Sequence, residues 1–330
     1  LLPAELTDLL ARLRASANPM PAKQLSQVLQ LNLGPQWQQH FADFTFKPMA
    51  AASIGQVHQA YHDNGKKLAV KIQYPGVKTS IDSDVDNVAS LLKISGLLPS
   101  TVEIASLLSE AKKQLKNEAN YLKEAAYLQR YREHLITDHD YLLPDVYPEL
   151  SSENILVMSF VDGEPIENLQ AAPQEERDRL LGLMFSLFFR ELFDFKLVQT
   201  DPNFANYLYN PQSKQLVLLD FGACRDYSAR LSDSYRALFS AATTHNQTAM
   251  ADALTSIGFF SQTILPEQKL AVLNLVELAC EPLPPADALF LHRKIAGLYL
   301  LAARLQARVN VCQLLEPYLN QFNAKQGSHV

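Results

Sequence analysis

A chain of 330 residues with 48% hydrophobic side chains can bury the core of one large domain or two lobes, and its formal net charge of −6 argues against general nucleic-acid binding, which needs a basic surface to neutralise phosphates. The three cysteines, Cys224, Cys280 and Cys312, stand far apart with no Cys-x-x-Cys pair, so neither a zinc site nor a disulfide framework is expected, and a reducing compartment fits. The longest apolar run, Leu180–Phe189, is interrupted by Arg190 and Glu191 and reaches only about half of what a bilayer span requires, so it reads as a buried helix.

Residues 2–43 read as helical. Leu6, Leu9, Leu10 and Leu13 share one face, Asn18-Pro19-Met20-Pro21 breaks the pattern, and Leu25, Val28, Leu29 and Leu33 form a second stripe, together a packing extension. No signal-peptide pattern is legible, and a first residue of Leu rather than Met leaves room for a missing start. Next, Pro48–Ala60 and Leu68–Ile72 flank a turn at Asp63-Asn64-Gly65, which reads as strand, Asn-Gly hairpin, strand. In front of it stands a small-residue loop, Ala50-Ala51-Ala52-Ser53-Ile54-Gly55-Gln56-Val57, whose backbone could approach phosphates, while Lys71 in the following strand supplies a point charge for them. Alanine cannot adopt positive φ as cheaply as glycine, so this loop is expected to be stiffer and more helix-prone than a Gly-rich flap.

A helix is expected from Val77 to about Leu92, closed by Leu97-Leu98-Pro99, and then one long helix from about Val102 to His134. Glu118 falls within the apolar stripe of that long helix, and Glu124 lies on a neighbouring face with Tyr121 and Leu128. A kinase fold needs one helical Glu to aim the strand Lys, and on periodicity alone both are candidates. Ile155–Val161 is a buried-strand run ending at Asp162-Gly163; in a two-lobed kinase this junction is the hinge, so Met158, Phe160 and Val161 are placed by their order in the chain at the adenine edge.

The segment Val198–Arg225 carries the densest chemistry. Asp201 stands five residues before Asn206, and a hairpin turning at Asn210-Pro211 leads to Asp220-Phe221-Gly222. Kinase-type phosphoryl transfer needs these groups in this order: an Asp facing the acceptor, then an Asn and a second Asp to hold Mg²⁺ on the nucleotide phosphates. From Ser228 to Val330 helical periodicity dominates, with a break at Cys280–Pro285. The chain therefore divides into a helical N-terminal extension (1–45), a kinase-like N-lobe (46–161) and a mainly helical C-lobe (162–330), an α+β, two-lobed protein-kinase-like architecture.

The order and wording of these motifs resemble the UbiB-type (AarF-type) atypical kinase-like family, whose members support ubiquinone biosynthesis and lipid homeostasis. The matching strings are AAASIGQVH at 50–58, AVKIQYPGV at 69–77, the Glu-rich helix around 118–124, QTDPNFANYLY at 199–209, LLDFGACR at 218–225 and LHRK at 291–294. The resemblance implies ATP or ADP with Mg²⁺ as cofactors, Lys71 as the phosphate lysine with Glu124 its helical partner, Asp201 in the catalytic-loop position, and Asn206 and Asp220 as metal residues. Glu118 would open the family's regulatory Glu-x-Asp motif, but the third position here is Asn120, which keeps hydrogen bonding and loses a charge. The family's Lys-x-Gly-Gln motif is not found in residues 1–45, and truncation is as good an explanation as true absence.

No Ala-Pro-Glu follows Asp220, and helix resumes soon after Gly222, which argues against docking a peptide substrate and against phosphorylation of other proteins. Two readings follow. One is an atypical kinase or Mg-dependent ATPase that binds nucleotide between two lobes and acts on a small molecule or lipid, with a quinone precursor and a ubiquinone-biosynthesis complex as implied partners. The other is a nucleotide-binding pseudokinase scaffold that switches partners without phosphoryl transfer. A cytoplasmic protein is expected, for which the resemblance implies peripheral association at the inner membrane at most, and the net charge argues against a nucleic-acid partner.

Overall fold

Alternation along two strands decides where the first core lies. The computed structural model describes residues 19–52, 54–95, 104–201, 203–258 and 286–327; the Leu6–Leu13 stripe, Ser53, the Leu97-Leu98-Pro99 closure and the Cys280–Pro285 break lie outside them. Chain contacts divide these residues into two units, one running through Gly163 and including Val217–Ala223, the other comprising Glu164–Leu216 and the residues from Cys224 on.

The first unit begins with helix α1 (Ala22–Leu33), a short 3₁₀ turn (Trp37–His40) and strand β1 (Asp43–Phe44). Strands β2 (Ala50–Ala52), β3 (Gly55–Tyr61) and β4 (Lys67–Gln73) follow, then helices α2 (Val77–Ser95), α3 (Ile104–Glu118) and α4 (Tyr121–His134), and strands β5 (Tyr141–Leu142) and β6 (Ile155–Ser159). The main sheet runs β1-β3-β4-β6, with β2 added to β3, and its pairs are antiparallel. Because successive strand residues point to opposite faces, Leu68, Val70 and Ile72 of β4 share one face with Ile155 and Val157 of β6. That face is covered by Leu25, Val28 and Leu29 of α1 and by Trp37, all in one buried cluster. The apolar stripe of α1 is thus committed to the sheet. Trp37 is the centre of an edge-on aromatic group with Phe41, Phe44 and Phe46.

Two expectations are corrected here. Ala50–Ala52 is extended, because its backbone pairs with Gly55–Val57 of β3; the ladder overrides the weak helical preference of alanine. The single long helix from Val102 to His134 is two helices, α3 and α4. The break falls at Ala119–Asn120, where the Asn120 side chain accepts hydrogen bonds from the backbone N–H groups of Leu122 and Lys123 and so starts a new helix as its N-cap.

In the second unit β7 (Glu164–Pro165) pairs antiparallel with β9 (Tyr207–Asn210), and between them come helix α5 (Gln174–Arg190), a π-turn (Glu191–Phe195) and strand β8 (Leu197–Gln199). β10 (Gln215–Leu218) follows a turn in which Asn210 Oδ1 accepts from the backbone of Gln212 and Ser213. β11 (Cys224–Asp226) pairs with β8, and helices α6 (Ala229–Thr243), α7 (Gln247–Ile257), α8 (Ala286–Leu305) and α9 (Val311–Gly327) complete the chain. α5 buries Phe185, Phe188 and Phe189, and rings of Phe193, Phe239 and Tyr318 gather against Phe189. These rings form an apolar core beneath the chain that leads into the Asp201 loop. None of the described helices is long and apolar enough to cross a membrane.

Candidate active site

Lys71 sits on the sheet face opposite to Val70 and Ile72. Residues paired directly across strands share a face, so Val57 and Leu156, its partners in register, lie on Lys71's side. The Lys71 side chain is 7% exposed, and its ammonium donates to both carboxylate oxygens of Glu124 (2.8 and 3.0 Å) and to Asp220 Oδ2 (2.9 Å). The three groups come from β4, from the first turn of α4 and from the segment just after β10. Of the two helical glutamates that periodicity left open, Glu124 is the one in contact with Lys71. Glu118 closes α3, on the far side of the Asn120 cap.

The Asp-Phe-Gly segment is locked by its own backbone. Asp220 Oδ1 accepts from the Gly222 N–H at 2.9 Å, Glu124 accepts from the Phe221 N–H, and the Phe221 ring is buried against Tyr131 with centroids 4.8 Å apart. Burial works against the Lys71 charge, yet the carboxylates of Asp220 and Glu124 outweigh it and hold the ammonium well above its ordinary range. Burial pushes the Glu124 carboxyl up to about 7, with Lys71 opposing the shift. Burial also acts to raise Asp220, but the Lys71 charge and hydrogen bond overcome it, and Asp220 lies below the usual carboxylate range. Of the two carboxyls, Asp220 is therefore the firmly ionised one.

Tyr121, one turn before Glu124, belongs with this group. It is 1% exposed and its ring centroid lies 5.2 Å from Lys71 Nζ. Its spacing of three from Glu124 on one helix was the available signal.

The small-residue stretch divides by face. Ala50 and Ala52 pair with Val57 and Gly55 and lie on the side of Lys71, whereas Ala51 pairs with Gln56, and Gln56 with Ile72. Gln56 is thus directed into the core: its Oε1 accepts from the Met20 N–H at 2.9 Å and its Nε2 contacts His58 Nε2 at 2.8 Å. Among the residues assigned to nucleotide, Ala51 and Gln56 thus lie on the strand face away from Lys71; the reason is the single-residue parity of the strand. Ile54 is buried, and its carbonyl accepts from Tyr74. Met158 pairs with Ala69 on the Lys71 side, Phe160 carries the Lys67 ammonium 3.5 Å from its ring centroid, and Val161 is half-buried beyond the strand end.

Asp201 and Asn206 belong to the second unit and are tied to each other. Asn206 Nδ2 donates to Asp201 Oδ2 at 2.8 Å, the Asn203 N–H donates to Asp201 Oδ1 at 3.2 Å, and Asn203 Oδ1 in turn accepts from the Ala205 N–H. This self-bonded loop leaves β8 at Gln199 and is steadied by the pairing of β8 with β11. Because Nδ2 of Asn206 is committed to Asp201, its carbonyl oxygen is the atom left for a cation. Carboxylate and carboxamide oxygens are the hard donors that Mg²⁺ takes, so Asp220 and Asn206 fit that ion by type. Arg225, after the Asp-Phe-Gly, stacks 3.8 Å over the Phe290 ring, and Cys224 is buried in β11.

The description "ABC1 atypical kinase-like domain" matches residues 12–254. The chain is 35% identical to a Saccharomyces cerevisiae protein named atypical kinase COQ8, mitochondrial, over 96% of its own length and 70% of that relative's. It is 35% identical to the Schizosaccharomyces pombe protein of the same name and 34% identical to a Danio rerio atypical kinase COQ8B, each over 98% of its own length. It spans 58% and 57% of the length of those two relatives. Among solved structures, a Mycobacterium tuberculosis protein, Rv3197, in complex with erythromycin superposes with a TM-score of 0.73 at 21% identity, covering 96% of this chain and 87% of that one; the likeness is one of fold. With its mixed helices and sheets the fold is α+β and kinase-like, and the chain belongs to the ABC1 (UbiB/AarF-type) atypical kinase-like family.

Proposed function

We propose that this protein binds Mg-nucleotide and uses it as an atypical kinase or ATPase on a small-molecule or lipid-like acceptor, in support of ubiquinone biosynthesis. The observation that carries this reading is the buried Lys71 held by Glu124 and Asp220, since a lysine aimed by a helical glutamate is what places a point charge on nucleotide phosphates. In this reading Lys71 meets the phosphates, with Ala50, Ala52 and Val57 on its side of the sheet as the surface the phosphates approach. Asp220 and Asn206 supply oxygens to Mg²⁺, which when bound offsets the charge of the transferring phosphoryl group. Asp201 orients or deprotonates the acceptor hydroxyl or water, its carboxylate steadied by Asn206 and Asn203.

The chain between Gly222 and α6 is occupied by β11, paired to β8, and by Ser228, which caps α6 by accepting from Leu231. So short and so ordered an interval supports an acceptor other than a protein. The mitochondrial names of the relatives support action beside a quinone-synthesising membrane, with contact at its surface.

The decisive experiment measures Mg-nucleotide binding and phosphate release by the purified protein and by Asp201→Asn. Binding in both, with release only in the unsubstituted protein, supports the enzyme. Binding with no release under any phenolic or lipid additive would support a nucleotide-switched scaffold instead. One observation favours that second reading: Ala50–Ala52 is a paired strand rather than a flexible flap, and a rigid edge could retain a nucleotide without closing on it.

A further inference from the structure

Glu191 and Lys294 form a second deeply buried ion pair, 1% and 3% exposed, that the roles assigned so far do not use. Glu191 is the first residue of the π-turn that ends α5; the turn stops at Lys196, in left-handed backbone at φ 51, and feeds β8, which ends just before Asp201. Lys294 comes from α8, within the LHRK string. On its other side Lys294 lines, together with Asp201, Met184, Phe204, Tyr207 and Leu298, a cavity of about 10 Å³. That is at the lower limit of the space that holds one water molecule. The same lysine therefore holds, through Glu191, the turn that leads to Asp201 and lines the cavity that Asp201 also lines.

Burying two charges is expensive, and well-packed apolar residues could often replace such a pair without loss of stability. We propose that Lys294, held by Glu191, is a positioning residue for Asp201: across a one-water gap its ammonium keeps the carboxylate in the orientation bonded by Asn203 and Asn206. The inference rests on the enzyme reading above and deepens it. The rest of the cavity wall is apolar or aromatic, so the cation is the polar anchor on the side of α8.

The test compares the unsubstituted protein with Lys294→Met and with the double variant Glu191→Leu/Lys294→Met, following thermal stability, Mg-nucleotide affinity, kcat and KM for phosphate release. Lys294→Met takes the Lys294 charge away from the buried Glu191 carboxylate and lowers stability. The apolar double variant regains it, yet kcat stays about tenfold or more below the unsubstituted value while nucleotide KM and affinity remain within about twofold, as expected when only the reacting geometry is lost. Recovery of kcat along with stability in the double variant would make the pair structural only and overturn the inference, as would parallel loss of kcat and nucleotide affinity. Absence of phosphate release from the unsubstituted protein would overturn the enzyme reading itself, and this inference with it.

Discussion

Asn120 caps the helix that aims Glu124 at Lys71: its Oδ1 accepts from the backbone of Leu122 at 3.1 Å and of Lys123 at 3.2 Å, and the next residue of the same turn reaches the lysine. The cap and the ion pair belong to one turn of helix. Asp caps as well as Asn, whereas Ala leaves the first N–H groups of α4 without a side-chain partner. Asn120→Asp is therefore expected to keep wild-type stability, and Asn120→Ala to lose about 1 kcal/mol in urea unfolding. Nucleotide affinity should fall with Ala and hold with Asp; equal behaviour of the two variants would separate the cap from the site.

Lys71 bridges Glu124 and Asp220, its ammonium within 3 Å of both carboxylates. Lys71→Met leaves both carboxylates without it, and the expected loss is about 3–5 kcal/mol of unfolding free energy at pH 8. The loss depends on pH in a definite sense. Burial raises the folded Glu124 carboxyl to about 7, and removing Lys71 takes away the charge that opposes the rise. The folded variant then holds a proton that the unfolded chain releases above about 4.3, so stability is favoured at low pH and declines as pH rises. The deficit relative to the unsubstituted protein should be smaller at pH 5.5 than at pH 8; a deficit of the same size at both would mean that Glu124 is not the group left stranded.

Asp220, held ionised by Lys71, offers the firmest hard-oxygen donor in the chain's Asp-Phe-Gly. Asp220→Asn keeps the shape and removes the charge, so Mg²⁺-dependent nucleotide binding should weaken by about tenfold or more while metal-independent binding changes little. Unchanged Mg²⁺ dependence in calorimetry would place the metal elsewhere.

What the sequence reveals and what it hides differ by the range of the interaction. Lys71 and the Asp220-Phe221-Gly222 turn are legible because each is written within one strand or one turn. The choice between Glu118 and Glu124 was open because a continuous apolar stripe conceals the break at Ala119–Asn120; read as a cap, Asn120 would have closed the question. The inward direction of Gln56 depends on Met20, 36 residues away, and the pairing of Lys294 with Glu191 spans 103 residues. The extended form of Ala50–Ala52 follows from β3 beside it, which no propensity of alanine announces.

Gly55 is a position where the missing side chain is required by approach. A Cβ there would stand 2.1 Å from the Ile72 carbonyl oxygen and 2.8 Å from its carbon, both backbone atoms of the residue next to Lys71. Gly55→Ala must spread β3 from β4 at that point, at a loss of about 2 kcal/mol or more. The strain falls beside the lysine, so nucleotide affinity should drop along with the melting temperature; an alanine variant as stable as the parent would show that the strands can separate without effect.

His58 gives a pH dependence whose sign follows from its hydrogen bonds. The Met20 N–H can only donate, so the Gln56 atom that receives it is the oxygen, and the Gln56 amide nitrogen must face His58. His58 Nε2 therefore accepts, Nδ1 carries the proton and donates to the Thr45 carbonyl at 2.9 Å, and the ring is neutral, stacked on Phe44. Burial lowers its pKa and outweighs the opposing effect of the hydrogen bond to the Thr45 carbonyl. The unfolded chain takes up a proton as pH falls below about 6.5 and the folded chain resists it, so this contribution is full above that pH and is lost as pH falls towards the lowered folded value. His58→Gln keeps an acceptor and a donor but cannot titrate. The unsubstituted protein should accordingly lose more stability between pH 7.5 and 5 than the glutamine variant does, as followed by urea unfolding at each pH; parallel curves would show that the ring is not held neutral by Gln56.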